Sequence, residues 1–87
     1  MHSVQRMEAA IALAQRIGWK VRYEYLGEVG GGACEIGGRK WIFVDLALTP
    51  YEQFQQVIDA LKGDAAIHTV AVPEYLRQDL ELWRRAA

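Results

Sequence analysis

Two adjacent glycines separate two short, mainly apolar runs in the segment GACEIGGRKWIFVDL, residues 32–46. Gly37 and Gly38 can both adopt the positive φ angles that a two-residue primed turn requires. The segment therefore predicts a β-hairpin in which Cys34 faces Trp41 across the two strands. This feature constrains the fold most, because the register of a hairpin decides which side chains share a face of the sheet.

The strand after this turn is apolar on both of its faces. Trp41 and Phe43 alternate with Ile42 and Val44, so neither face of the strand is polar. Strands of this kind are typical of the middle of a sheet, where both faces are covered. We therefore predict that it is the central strand and that another part of the chain, or a second copy of it, buries Ile42 and Val44.

Apolar spacing predicts helices on both sides of the hairpin and one further strand. Thr49, Pro50 and Glu52 form the clearest local signal, a capping box with proline at the first helical position. The predicted elements are, in order, a helix over 3–17, an alternating strand from Trp19, the two hairpin strands, a helix from Thr49 to Gly63, mostly loop over 64–72, and a helix from Pro73.

These elements predict one small α+β domain covering residues 1–87, since a chain of 87 residues supports a single core. We expect a three-stranded antiparallel sheet in the order α-β-β-β-α-α. The helices are expected to pack on the sheet, with the first two helices on the same face and the last one nearby.

Composition restricts the classes of function that fit this chain. Ten Lys and Arg against eleven Asp and Glu give a formal charge of -1, which provides no overall field to attract a polyanion. The single cysteine cannot form an internal disulfide, and the first residues lack the apolar run of a secretory signal. No apolar segment approaches the roughly 20 residues that span a bilayer. We therefore expect a cytoplasmic protein with no membrane partner.

Three residues could serve a small enzyme or a ligand-binding site: Cys34, Asp45 and His68. For Cys34 and Asp45 we favour a structural interpretation. Cys34 lacks a nearby activating base and fits a small buried side chain, and Asp45 fits a capping role at a strand end. His68 has no metal-ligand spacing to a second histidine or to the cysteine. We assign no catalytic residue, expect no metal or cofactor, and favour a non-enzymatic protein.

Aromatic residues suggest another function that the charge balance disfavours. Tyr23, Tyr25, Trp41 and Phe43 could stack on single-stranded bases while nearby cations bind phosphates. The same residues more often form a core beneath helices, and nucleic acid is therefore the less favoured partner.

The stretch CEIGGRKWIFVDLALTPYEQFQQVIDAL, residues 34–61, resembles the opening of IrrE/ImmA-type zincin-like domains. In that family the helix after the sheet carries H-E-x-x-H, whose histidines bind zinc and whose glutamate is the general base. The corresponding helix here contains no histidine, so the resemblance implies the fold and no peptidase activity. The glycine, cysteine and hairpin pattern also resembles a small bacterial family of unknown function.

We therefore predict a non-enzymatic module that associates with itself, as a homodimer, or with another protein. A homodimer hides an apolar surface through one self-complementary patch. The residues predicted to form the interface are apolar or aromatic: Ile42, Val44, Tyr23, Tyr25 and Trp83.

Overall fold

The computed structural model describes residues 3–27 and 31–82. The elements are α1 (Ser3–Arg16), β1 (Trp19–Glu24), β2 (Gly32–Ile36), β3 (Arg39–Asp45), α2 (Pro50–Lys62), a 3₁₀ helix (Ala65–Thr69) and α3 (Glu74–Arg77). This confirms the α+β class and the predicted order of helices and strands. No helix among the described residues combines the length and apolar character needed to cross a membrane.

The hairpin agrees with its prediction in both turn and register. Gly37 and Gly38 have φ angles of 59° and 77°, as a two-residue primed turn requires. β2 pairs antiparallel with β3, and Cys34 lies opposite Trp41. The strand order β1-β3-β2 also confirms β3 as the central strand.

The prediction of a purely antiparallel sheet is wrong, because β1 runs parallel to β3. The sheet is mixed, since β1 and β2 lie on opposite sides of β3 and β2 runs antiparallel to it. The alternation in residues 19–24 indicates which side chains share a face. The alternation does not indicate whether the neighbouring strand runs parallel or antiparallel to β1.

Both long helices cover the same face of the sheet, as predicted. Ile42 and Val44 point into this layer and are fully buried. α2 begins at the predicted capping box, in which the Thr49 hydroxyl accepts from the Glu52 amide and the Glu52 carboxylate accepts from the Thr49 amide. The helices contribute eight buried side chains: Ala10, Leu13 and Ala14 from α1, and Phe54, Val57, Ile58, Ala60 and Leu61 from α2.

The C-terminal part of the described chain returns along α1. Residues 64–72 contain the short 3₁₀ helix and otherwise irregular backbone, in keeping with the predicted loop. α3 is a single turn after Pro73, and its Leu76 is fully buried. An ion pair between Arg6 and Asp79 fastens the end of this segment to α1.

Candidate functional site

The sheet face opposite α1 and α2 is covered by no described helix, and we call it the open face. In each strand pair, residues directly opposite one another share a face. The side chains of Trp41 and Phe43 in β3 therefore lie on the open face, in two rows across the sheet. Lys20 and Cys34 flank Trp41, and Arg22 and Gly32 flank Phe43; at the hairpin end Ile36 lies beside Arg39.

The two aromatic rings of the open face are stacked and partly exposed. Their centroids are 5.8 Å apart and their planes differ by 16°. The Lys20 ammonium lies 5.9 Å from the centre of the Trp41 ring, within the range of a cation–π contact. Arg22 is 3.6 Å from the Glu24 carboxylate, and both of these side chains are well exposed. The face therefore combines a flat aromatic surface with cations along one side.

The outer edge of β2 offers unpaired backbone groups, and we call Ala33 and Glu35 the β2 edge. The turn bond joins Ile36 to Arg39, and hydrogen-bonded pairs alternate along an antiparallel ladder. Ala33 and Glu35 consequently direct their amide and carbonyl groups away from β3. No other described residue makes a backbone hydrogen bond with them. This edge contains no proline, and Glu35 is its one charged side chain, so it carries few of the residues that commonly protect edge strands.

The structure separates the residues that the sequence suggested as an interface. Ile42 and Val44 are fully buried beneath the chain's own helices, so a partner cannot reach them while the domain is folded. Tyr23 and Tyr25 remain accessible, at 46% and 78% exposure, and partial burial raises the pKa of the Tyr23 hydroxyl. Trp83 lies outside the described residues.

The three residues considered for chemistry lie at different places in the fold. Asp45 ends β3, whereas His68 belongs to the 3₁₀ helix, which lies at the start of β3. The 2.6 Å contact between Lys40 Nζ and Asp64 Oδ2 fixes that placement. The two ends of a seven-residue strand are about 20 Å apart. Cys34 pairs with Trp41 in the hairpin. The fold therefore separates Asp45 from His68 by the length of β3, and the cleft that Cys34 shares with Asp64 and Ala65 does not include His68.

Asp45 has the capping role that the sequence suggested. Its Oδ1 accepts hydrogen bonds from the amides of Ala47, at 2.9 Å, and Leu26, at 3.4 Å. It is the one buried charged residue in the described chain. These bonds satisfy the carboxylate and connect the end of β1 to the end of β3. The prediction that Cys34 is buried is wrong: its thiol lies on the uncovered side of the sheet and is exposed.

A partly buried polar cluster joins the starts of β1 and β3 to the end of α2. Asp64 Oδ2 accepts from Lys40 Nζ at 2.6 Å and from Trp19 Nε1 at 3.0 Å. The hydrogen bond from Lys40, followed by that from the Ala66 amide, lowers the pKa of Asp64. Lys40 also donates to the carbonyl oxygen of Ile17, at 3.0 Å. The cluster lines an open cleft of about 310 Å³, but its polar groups are bonded to one another.

Replacing Asp64 by Asn should lower the free energy of unfolding at pH 7 by about 2 kcal/mol, the usual range for bonds to a charged group. Because folding lowers the pKa of Asp64, its stabilisation is complete above the ordinary value of 3.8 and is lost on acidification through the lower folded value. The difference between the wild type and Asp64→Asn, measured by urea unfolding, should therefore shrink below about pH 4.

The exposed Asp59 provides the control for this titration, because Asp59→Asn removes a carboxylate near the same end of α2. We expect this substitution to change stability by less than about 0.5 kcal/mol at either pH. A difference for Asp64→Asn that stays constant down to pH 2 would show that charge does not hold the cluster together.

No group of three or more His, Cys, Asp or Glu residues capable of holding a metal occurs among residues 3–27 and 31–82. Comparison with family models, with curated proteins and with solved structures found no match to this chain. The resemblance to zincin-like domains therefore stays a prediction. The candidate sites are the open face and the β2 edge.

Sequence reasoning missed the alignment of cations with aromatic rings on the open face. Lys20 and Arg22 alternate along β1, and this pattern was visible in the sequence. Their position beside Trp41 and Phe43 depends on the parallel register of β1 and β3. If β1 ran antiparallel to β3, Lys20 and Arg22 would lie opposite other residues of β3.

Proposed function

We propose that this protein is a non-enzymatic self-association module in which two copies pair through their β2 edges. The observation that carries the proposal is that Ala33 and Glu35 direct their backbone groups away from β3 and pair with no other residue that the structure describes. An exposed edge of this kind is a template for strand pairing, and a second copy matches it in length. The sheet would then continue over six strands, with four helices on one side.

Hydrogen-bond geometry selects one register for the pair. Two antiparallel β2 strands bond only where outward-directed groups meet, and this occurs when Ala33 of each copy faces Glu35 of the other. Cys34 of both copies then lies on the two-fold axis. A shift of two residues one way would oppose two Glu35 carboxylates, which repel. The opposite shift would use Gly31, which lies outside the strand.

The open face is a poorer surface for self-association. Face-to-face packing of two copies would bring together two sets of Lys20, Arg22 and Arg39, and like charges across an interface are costly. Edge pairing leaves these cations in solvent. A five-residue edge buries much less than the roughly 1,600 Å² of a standard interface. We therefore expect weak, reversible dimers at concentrations of about 0.1–1 mM.

Two substitutions of one residue test both the surface and the register. Ala33→Lys places an ammonium opposite Glu35 of the second copy, whereas Ala33→Glu places a carboxylate there. Each such pair occurs twice in the dimer and is worth roughly 0.2–1 kcal/mol. Sedimentation equilibrium over a dilution series should give a dissociation constant about tenfold or more lower for Ala33→Lys than for Ala33→Glu.

Cross-linking through Cys34 provides a second readout of the same register. Opposed residues of a non-hydrogen-bonded pair have Cα atoms about 4.5 Å apart, within the range of a disulfide. Diamide should join the two thiols, which lose two protons and two electrons as the diamide is reduced to a hydrazine. We expect Ala33→Glu to slow this reaction while labelling of Cys34 by iodoacetamide keeps its rate.

Tyr25→Ser is the matched control, since it removes an exposed side chain just after β1, which β3 separates from β2. It should leave association unchanged. The proposal is overturned by a monomer at every concentration up to about 1 mM, or by association that responds to Tyr25→Ser and not to the Ala33 substitutions. The second result would place the interface at the tyrosines.

A further inference from the structure

We propose that the open face binds single-stranded nucleic acid, with bases stacked on Trp41 and Phe43 and phosphates held by Lys20, Arg22 and Arg39. This site is separate from the β2 edge and does not depend on self-association. Three observations carry the inference: local charge, the arrangement of the aromatic rings, and the small residues beside them.

The charge of the open face differs in sign from that of the whole protein. Three cations and two carboxylates, Glu24 and the buried Asp45, belong to the three strands on this side, a local charge of +1. The complete chain carries -1. A local cationic surface attracts phosphate even when the net charge does not, because screening limits the reach of charges elsewhere to about 10 Å. The net charge therefore does not exclude this ligand.

The rings suit unstacked bases better than an acidic peptide. Trp41 and Phe43 are neighbours on one strand, with near-parallel planes and partial exposure. Successive residues on one face of a strand are about 6.6 Å apart, a spacing that unstacked bases can follow, and bases have flat faces that stack on the rings whereas acidic side chains do not. Base stacking on such rings contributes about 1–3 kcal/mol per base with little regard to sequence.

The two sides of the aromatic pair have complementary roles. Cys34 and Gly32 are small, so on the β2 side little side-chain volume rises above the rings. Lys20 and Arg22 lie on the β1 side, where a backbone running along that strand would meet both cations. Bases would enter from the β2 side of the rings, and phosphates would align with β1.

The test uses thymidine oligonucleotides of about 12 residues, with polyglutamate of matched charge as comparator, and fluorescence anisotropy as the measurement. Binding through three cations predicts a slope of log K against log salt of about -2, or roughly 16-fold weaker binding between 50 and 200 mM salt. Trp41→Ala should weaken binding by about tenfold or more. Lys20→Gln, an exposed change that leaves the core intact, should lower the slope by about 0.7.

Two control variants lie on the opposite side of the domain. Tyr51→Ala removes an exposed aromatic residue of α2, and Lys62→Gln removes a cation near its end. Both should bind the oligonucleotide like the wild type, as should Ala33→Glu. The inference is overturned if no binding occurs at 20 mM salt, roughly where the Debye length exceeds 20 Å. Equal affinity for polyglutamate, or equal losses in the control variants, would overturn it as well.

Discussion

Ile42→Ala should lower the free energy of unfolding by about 4 kcal/mol, the largest effect that we expect from a single substitution. Ile42 is fully buried between the central strand and the two long helices. Shortening it removes buried methyl and methylene groups and leaves a cavity that the packed helices cannot fill. Because a domain of this size has a total stability of roughly 5–10 kcal/mol, urea unfolding followed by circular dichroism should show a much earlier transition.

Ile36 is the matched control, since it is also a strand isoleucine but lies on the open face with 55% exposure. Ile36→Ala should cost less than about 1 kcal/mol, because little apolar surface returns to water. The difference between the two substitutions tests which face of the sheet the helices cover. If Ile36→Ala costs more than Ile42→Ala, the two faces have been assigned the wrong way round.

The sequence predicted the parts of the fold that depend on neighbouring residues. The Gly37-Gly38 turn fixes the hairpin register, and the Thr49 capping box begins α2; each needs only a few consecutive residues. The direction of β1 was predicted wrongly for a physical reason. Alternation is unchanged when a strand is reversed, so it cannot distinguish a parallel from an antiparallel neighbour.

The open face was harder to predict than the fold. Net charge sums over the whole chain, whereas a binding surface depends on which charges the sheet brings to one side. Lys20 and Arg22 join Trp41 and Phe43 only through the parallel pairing of β1 and β3. The exposure of Cys34 was missed for a different reason. An apolar strand face was assumed to be covered, and the helices that the structure describes cover one face only.

Gly31→Ala should destabilise the domain by about 3 kcal/mol, the second large effect that we expect. A Cβ atom at Gly31 would lie less than 3.0 Å from the carbonyl oxygen of Phe43 and from Nε2 of Gln56. The Phe43 oxygen is part of the central strand and cannot move aside. Gln56 is also constrained, because its Oε1 accepts from the Asp45 amide at 2.9 Å. Urea unfolding measures the loss of stability.

Gly63→Ala is the control for this change, because it adds the same methyl group where the nearest atoms are 3.7 Å away and φ is -83°. It should be neutral or stabilise the domain by about 0.5 kcal/mol through a less flexible unfolded chain. A small effect of Gly31→Ala would mean that the chain does not pass close to the end of β3.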